Sequence, residues 1–335
     1  MTSPGNFQRF LPLVEQGLRR ALANGPDQLL RTSRYVLGWE DASGRPLLGG
    51  GKRLRPLTCL EVAAAIGAAP ERAVPGAVAV ELIHNFSLVH DDIQDGDAIR
   101  HGRPTAWKVV GQPQAINLGN FLYARGIGQL ADCSLPGAPT ALRLLLDAIE
   151  RMVEGQWSDI AFETAAQVTE QEYLAMVAGK TGALLGAAAG IGAALAGADS
   201  RLVEAFRRWG ELLGLAFQVR DDYIGTWGDP NATGKSASSD IVRRKRTLPV
   251  VYALAAGETD TLSAYYAERD GGGSSGLTPE AVAELLATRG AREHTDALAR
   301  RLAAQADDAL HTVAELGYDT TTLRALAAFV VERDR

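Results

Sequence analysis

The chain has 335 residues, 46% hydrophobic and 22% charged, which excludes a disordered chain and fits one large domain or roughly two ordinary ones. Its formal charge of −6, with no Lys/Arg-rich tract, argues against general binding to a nucleic-acid backbone. Two cysteines, Cys59 and Cys133, exclude a disulfide framework or a Cys-rich zinc site and read as reduced thiols of a cytoplasmic protein.

The N-terminus, Met1-Thr2-Ser3-Pro4-Gly5-Asn6, has no basic segment leading into an apolar run and does not read as a signal peptide. Residues 7–23 place Phe10, Leu11, Val14, Leu18 and Leu22 at spacings of three and four, an amphipathic helix. Helical patterns continue over 56–68, 76–95, 113–132, 138–166, 170–196, 200–224, 240–256, 278–289, 291–316 and 320–333. Residues 181–198, TGALLGAAAGIGAALAGA, carry no charge and are long enough to consider as a membrane span. Ala and Gly dominate them, however, so they predict a buried helix in close contact with its neighbours and no membrane span. Alternating β-branched runs are nearly absent, so no sheet is expected. Glycine-rich punctuation at Gly49-Gly50-Gly51, at 228–231 and at 271–276 marks loops, none of which reads as a hinge between two folds. The expectation is an all-α chain, one domain over 1–335, with roughly ten or more helices around a central space.

The segment 81–105, ELIHNFSLVHDDIQDGDAIRHGRPT, carries the most chemistry. Asp91 and Asp95 stand at i and i+4, on one face of a helix about one turn apart. By spacing alone this is a solvated acidic helix end or a site for a hard divalent cation, and the apolar run before it makes a bare buried pair costly. A second pair, Asp221-Asp222 in FQVRDDYIG, again ends a long apolar helix. Basic residues stand beside turns and helix ends: Lys52, Arg53 and Arg55 after the triple glycine, Lys180 before Thr181, Lys235, and the run Arg243 to Arg246. Acidic walls with a basic rim suit a metal-bridged diphosphate. His84, two turns before Asp91, reads from pattern alone as a satisfied core histidine.

With these motifs in this order from Gly49 to Thr247, the chain resembles the polyprenyl synthetases, the trans-isoprenyl diphosphate synthases. The resemblance implies an all-α bundle around a deep apolar cavity, usually a homodimer, that joins an allylic diphosphate (dimethylallyl, geranyl or farnesyl) to isopentenyl diphosphate. It implies Asp91, Asp95 and Asp221 as ligands of Mg²⁺, roughly three ions per site, which neutralise the departing diphosphate. Arg100, Lys180, Lys235 and Lys245 would hold the allylic diphosphate, Lys52, Arg55 and His84 the isopentenyl diphosphate, and Thr181 and Gln218 would lie beside the allylic cation. An aromatic Phe86 and a small Ser87, five and four residues before Asp91, resemble the chain-length positions of geranylgeranyl diphosphate synthases of archaeal type. They imply mainly a C20 product, with C15 as runner-up.

The chain departs from the family pattern at three points. The usual Arg-Arg after the first motif is Arg100-His101, the second motif ends in Gly225 where Asp is common, and the first motif lacks the two-residue insertion of many bacterial short-chain enzymes. Two competing readings remain. A terpene cyclase would have no use for Lys52, Arg55 and His84, and a non-catalytic regulatory subunit would have lost the acidic ligands that this chain keeps.

Overall fold

A computed structural model describes residues 7–47, 51–228, 239–255, 261–267 and 276–332. Its helices are α1 (Leu11–Ala21), α2 (Asp27–Val36), α3 (Leu54–Ala65), α4 (Val74–Gln94), α5 (Ala106–Val110), α6 (Gln112–Ala131), α7 (Ala138–Phe162), α8 (Glu170–Val177), α9 (Ala183–Ala196) and α10 (Ser200–Trp227). The C-terminal part adds α11 (Ser239–Val242), α12 (Leu248–Leu254), α13 (Thr261–Ala267), α14 (Pro279–Thr288), α15 (Ala291–Glu315) and α16 (Thr321–Glu332). The all-α expectation holds.

The uncharged Ala/Gly stretch is the hub. Every residue of α9 from Ala183 to Leu195 is buried, and α3, α4, α7 and α10 pack around it. Glycine makes that approach possible: a Cβ on Gly192 would collide with the Cys59 carbonyl of α3, and one on Gly214 of α10 would lie 2.7 Å from Gly182 Cα. The helical stretch Glu170–Ala196 contains an apolar window that is 78% buried inside the protein, as expected of a core helix. A main apolar core joins α1 to α10 with α15 and α16. A second cluster gathers Ile241, Val250, Leu262, Tyr265, Tyr266, Val282 and Leu286 around the C-terminal segments.

Local chemistry explains the departures from the predicted elements. The region read as one helix over 170–196 contains a π turn at Ala178–Gly182. The region read as a helix over 240–256 is two short helices, because Arg244 takes a left-handed φ of +54° and Thr247 takes the extended geometry that starts α12 before Pro249. Helices α2, α5 and α13 were not read from periodicity. Against the expectation of no sheet, Ile99–Arg100 (β1) pairs antiparallel with Arg103–Pro104 (β2). His101 and Gly102 form the loop, with φ of +51° and +73°, the left-handed pair that a tight hairpin needs. A two-residue ladder is too short to leave an alternating signature.

Candidate active site

Helix α4 carries the buried Glu81 and the half-buried His84, Phe86, Ser87 and Asp91, and ends at Asp95. Burial pushes the Asp91 carboxyl up to about 6; Lys180 and Arg100 oppose the shift, while Asp95 and Asp159 add to it. Asp92, the middle residue, turns inward and accepts a 2.6 Å bond from Arg100 Nε, so the β1–β2 hairpin is tied back to α4. Asp95 accepts from Lys245 Nζ at 3.2 Å, across the gap between α4 and the turn before α12. Burial disfavours the Lys245 charge, but Asp95, Asp159 and Asp240 outweigh it and raise its pKa.

The π turn places Lys180 and Thr181 on adjacent positions facing the site. A π turn inside a helix adds a residue to the turn and commonly marks a functional position. Lys180 Nζ pairs with Asp159 of α7, and Thr181 Oγ1 donates to Gln218 Oε1 at 3.2 Å. Asp159 and Glu163 escaped the sequence reading, although they stand at the same i, i+4 spacing as Asp91 and Asp95. Burial raises the Glu163 carboxyl, with Asp95 and Asp159 adding to it. Asp159 and Glu163 therefore lie within electrostatic reach of Asp95, Lys180 and Lys245, with Asp159 paired directly to Lys180.

The two aspartates that end α10 divide their labour. Asp222 is buried and accepts from Tyr173 OH, from Leu248 N at 2.8 Å and from Gln218 Nε2 at 3.0 Å. Burial pushes its carboxyl up to about 7 even though all three bonds pull down. Asp222 is thus a tie between α8, α10 and α12. Asp221, the ligand expected from sequence, is half-buried and acts electrostatically on Arg55.

Arg55 and His84 meet: Arg55 Nη1 donates to His84 Nε2 at 3.2 Å. Burial and then Arg55 hold the His84 ring well below its ordinary pKa, so it is neutral, and His101 contributes in the same direction. Burial also lowers the Arg55 pKa, and its Nε is buried with no hydrogen-bond partner. An orphaned donor beside a neutral imidazole is a cradle for an anion. Arg53, the neighbour, is different: it is buried in bonds to Glu15, Glu81 and the Leu37 carbonyl and serves the fold. Lys52 is exposed, and Lys235 lies outside the described residues.

Phe86 sits edge-on to His90 at 4.9 Å and to Tyr123 of α6 at 5.2 Å, centroid to centroid. Ser87 Oγ bonds back to the His84 carbonyl at 2.9 Å, which keeps that side chain small and folded against its own helix.

Among the described residues no three His, Cys, Asp or Glu side chains form a ready chelate. The donor chemistry nonetheless fits Mg²⁺: carboxylate oxygens are the ligands of a hard cation, and this cation commonly takes its remaining oxygens from phosphates and water. Lys180 and Lys245 already pair with Asp159 and Asp95 among these carboxylates.

The polyprenyl synthetase sequence pattern matches residues 40–283. The (2E,6E)-farnesyl diphosphate synthase of Mycobacterium tuberculosis is 41% identical over 303 residues, 89% of this chain and 84% of that protein. The geranylgeranyl diphosphate synthase of the same organism is 44% identical over 242 residues, 71% of this chain and 68% of that protein. The crystal structure of a polyprenyl synthetase from Streptomyces coelicolor A3(2) superposes with a TM-score of 0.88 at 42% identity, covering 96% of this chain and 98% of that one.

Proposed function

This chain belongs to the polyprenyl synthetase family and is a short-chain prenyltransferase, and from that premise we propose that it makes mainly the C20 geranylgeranyl diphosphate. The family uses divalent metal ions and implies allylic and isopentenyl diphosphates as substrates.

The observation that carries the C20 reading is the position of Phe86. Phe86 lies five residues, just over one turn, before Asp91 on α4 with its ring against Tyr123 of α6, and in this reading a prenyl tail growing down α4 meets that ring. Ser87, small and folded back, leaves the path above that ring open. The three-ring contact of Phe86, His90 and Tyr123 also favours a second reading, a narrower floor that stops the chain at C15.

In this reading Asp91, Asp95 and Asp221 hold Mg²⁺, with Asp159 beside them. The metal, when bound, stabilises the charge of the departing diphosphate. Arg100, Lys180, Lys235 and Lys245 orient that diphosphate. Arg55, His84 and Lys52 hold isopentenyl diphosphate, its charge meeting the orphaned Arg55 Nε. Thr181 and Gln218, bonded to each other, stand beside the allylic carbon. Helix α7 presents Leu146, Val153, Trp157 and Ile160 on one exposed face, which supports a homodimer.

The test is incubation of the pure protein with Mg²⁺, labelled isopentenyl diphosphate and each allylic primer, followed by chromatography. A labelled C20 product is expected. A product that stops at C15 would select the second reading, and hydrocarbon formed without isopentenyl uptake would instead identify a cyclase.

A further inference from the structure

The second acidic motif is one carboxylate short. The first motif offers Asp91 and Asp95 at i and i+4, but the same spacing from Asp221 reaches Gly225. The structure gives a physical reason for that glycine. A Cβ built on Gly225 would lie 2.5 Å from Asp240 Oδ2, so the space that a side chain at 225 would enter holds the Asp240 carboxylate instead. Gly225 follows Asp221 by one turn of α10, so Asp240 stands beside the turn that carries Asp221.

Asp240 is held firmly at that place. Its backbone carbonyl accepts from Lys245 N at 3.0 Å, and the next carbonyl, of Ile241, accepts from Arg244 N at 2.9 Å and Tyr265 OH at 3.2 Å. The Ile241 side chain is buried in the second apolar cluster. The Lys245 ammonium lies between Asp95 of the first motif and the field of Asp240. The Asp240 carboxylate therefore belongs to the same charged wall as the acidic ends of α4 and α10.

We propose that Asp240 supplies, from α11, the carboxylate that the second acidic motif lacks at Gly225, and so completes the oxygen-donor wall facing the metal ion held by Asp221. The proposal rests on the metal-diphosphate reading given above. Gly225 and Asp240 form a complementary pair: the side chain is absent at one position because the other residue's carboxylate has entered its space.

Metal binding without turnover tests it. The full-length protein is titrated with Mn²⁺ in the presence of inorganic pyrophosphate, the free ion being read by electron paramagnetic resonance. Asp240→Asn, nearly the same shape without the charge, is expected to weaken Mn²⁺ binding by about tenfold or more, as loss of a carboxylate supporting a metal site does. Its metal-free melting curve should stay close to that of the wild type. The exchange variant Gly225→Asp/Asp240→Gly, which moves the carboxylate onto α10, should recover most of the loss. Wild-type Mn²⁺ affinity in Asp240→Asn would overturn the proposal. So would an exchange variant that melts like the wild type yet binds as weakly as Asp240→Asn. Failure of the wild type itself to bind Mn²⁺ with pyrophosphate would be a distinct result: it would remove the metal-diphosphate reading and this proposal together.

Discussion

At the scale of single residues, the adjacent Asp221 and Asp222 show what a motif conceals. Both are acidic and neighbouring in the sequence, yet one is half-buried and acts on Arg55, and the other ties Tyr173, Gln218 and the backbone of Leu248 together. The raised Asp222 carboxyl has a sign. Its folded pKa, about 7, lies above the unfolded value, so the stability it contributes is fully present below the unfolded value of 3.8 and is lost as pH rises through about 7. Metal-free wild type should therefore melt at a higher temperature at pH 5.5 than at pH 8. Asp222→Asn should reduce that slope and lower stability at low pH by about 1–3 kcal/mol, since an amide nitrogen would face a buried donor. Thermal melts of both proteins across that range decide it, and equal slopes would show that Asp222 is not the group responsible. His101 is a second case. It occupies a left-handed position in the hairpin loop and acts on the His84 ring. His101→Arg should tighten isopentenyl diphosphate by on the order of 1 kcal/mol through a charge-assisted bond. Calorimetry would read this as roughly fivefold tighter binding, and an unchanged or weaker affinity would mean that the hairpin aims residue 101 away from the phosphate.

At the scale of elements, the product-length reading belongs to α4 and α6 together. Periodicity placed Phe86 on α4, but nothing in a one-dimensional pattern pairs it with Tyr123 on another helix. Phe86→Ala should remove the ring that abuts Tyr123 and lengthen the product beyond C20. Ser87→Phe should raise the floor and shorten it to C15. Chromatography of both variants checks this, and an unchanged length in Phe86→Ala would place the floor on a different helix. The long helices were legible because their apolar stripes run for many turns: α7 and α15 fall within the regions read from sequence, and α4, α6 and α10 overrun theirs by two, one and three residues. The short ones were not. Helix α5 spans 106–110, too few turns for a period to emerge, and α11 and α12 stand in one region read as a single helix, which the left-handed Arg244 and the extended Thr247 break. The π turn at Ala178–Gly182 is invisible for another reason, since its sequence is as helix-compatible as its flanks.

At the scale of the whole molecule, the Ala/Gly hub fixes how closely four neighbouring helices approach, and that closeness sets the site's geometry. The acidic motifs and Lys180 were legible because their residue types are costly to bury without a purpose. Asp159 and Glu163 were missed because an i, i+4 acidic pair is common on any exposed helix, and only the fold turns this one toward Lys180. The molecule also leaves Trp157 78% and Val153 54% exposed on α7. Trp157→Glu should place a charge in the centre of that stripe and shift a dimer to monomer, as read by sedimentation velocity. A wild type that is itself monomeric, or a variant that stays dimeric, would move the contact to another face.

The pairs Lys180–Asp159 and Lys245–Asp95 have one more consequence. Each lysine satisfies a carboxylate, so a partner of either group competes with the other. A cation that takes the carboxylates releases ammonium groups toward phosphate, and a phosphate that takes the ammonium groups releases carboxylates toward a cation. The two ligands are then thermodynamically linked with positive sign, each lowering the concentration at which the other half-saturates the protein by the same factor.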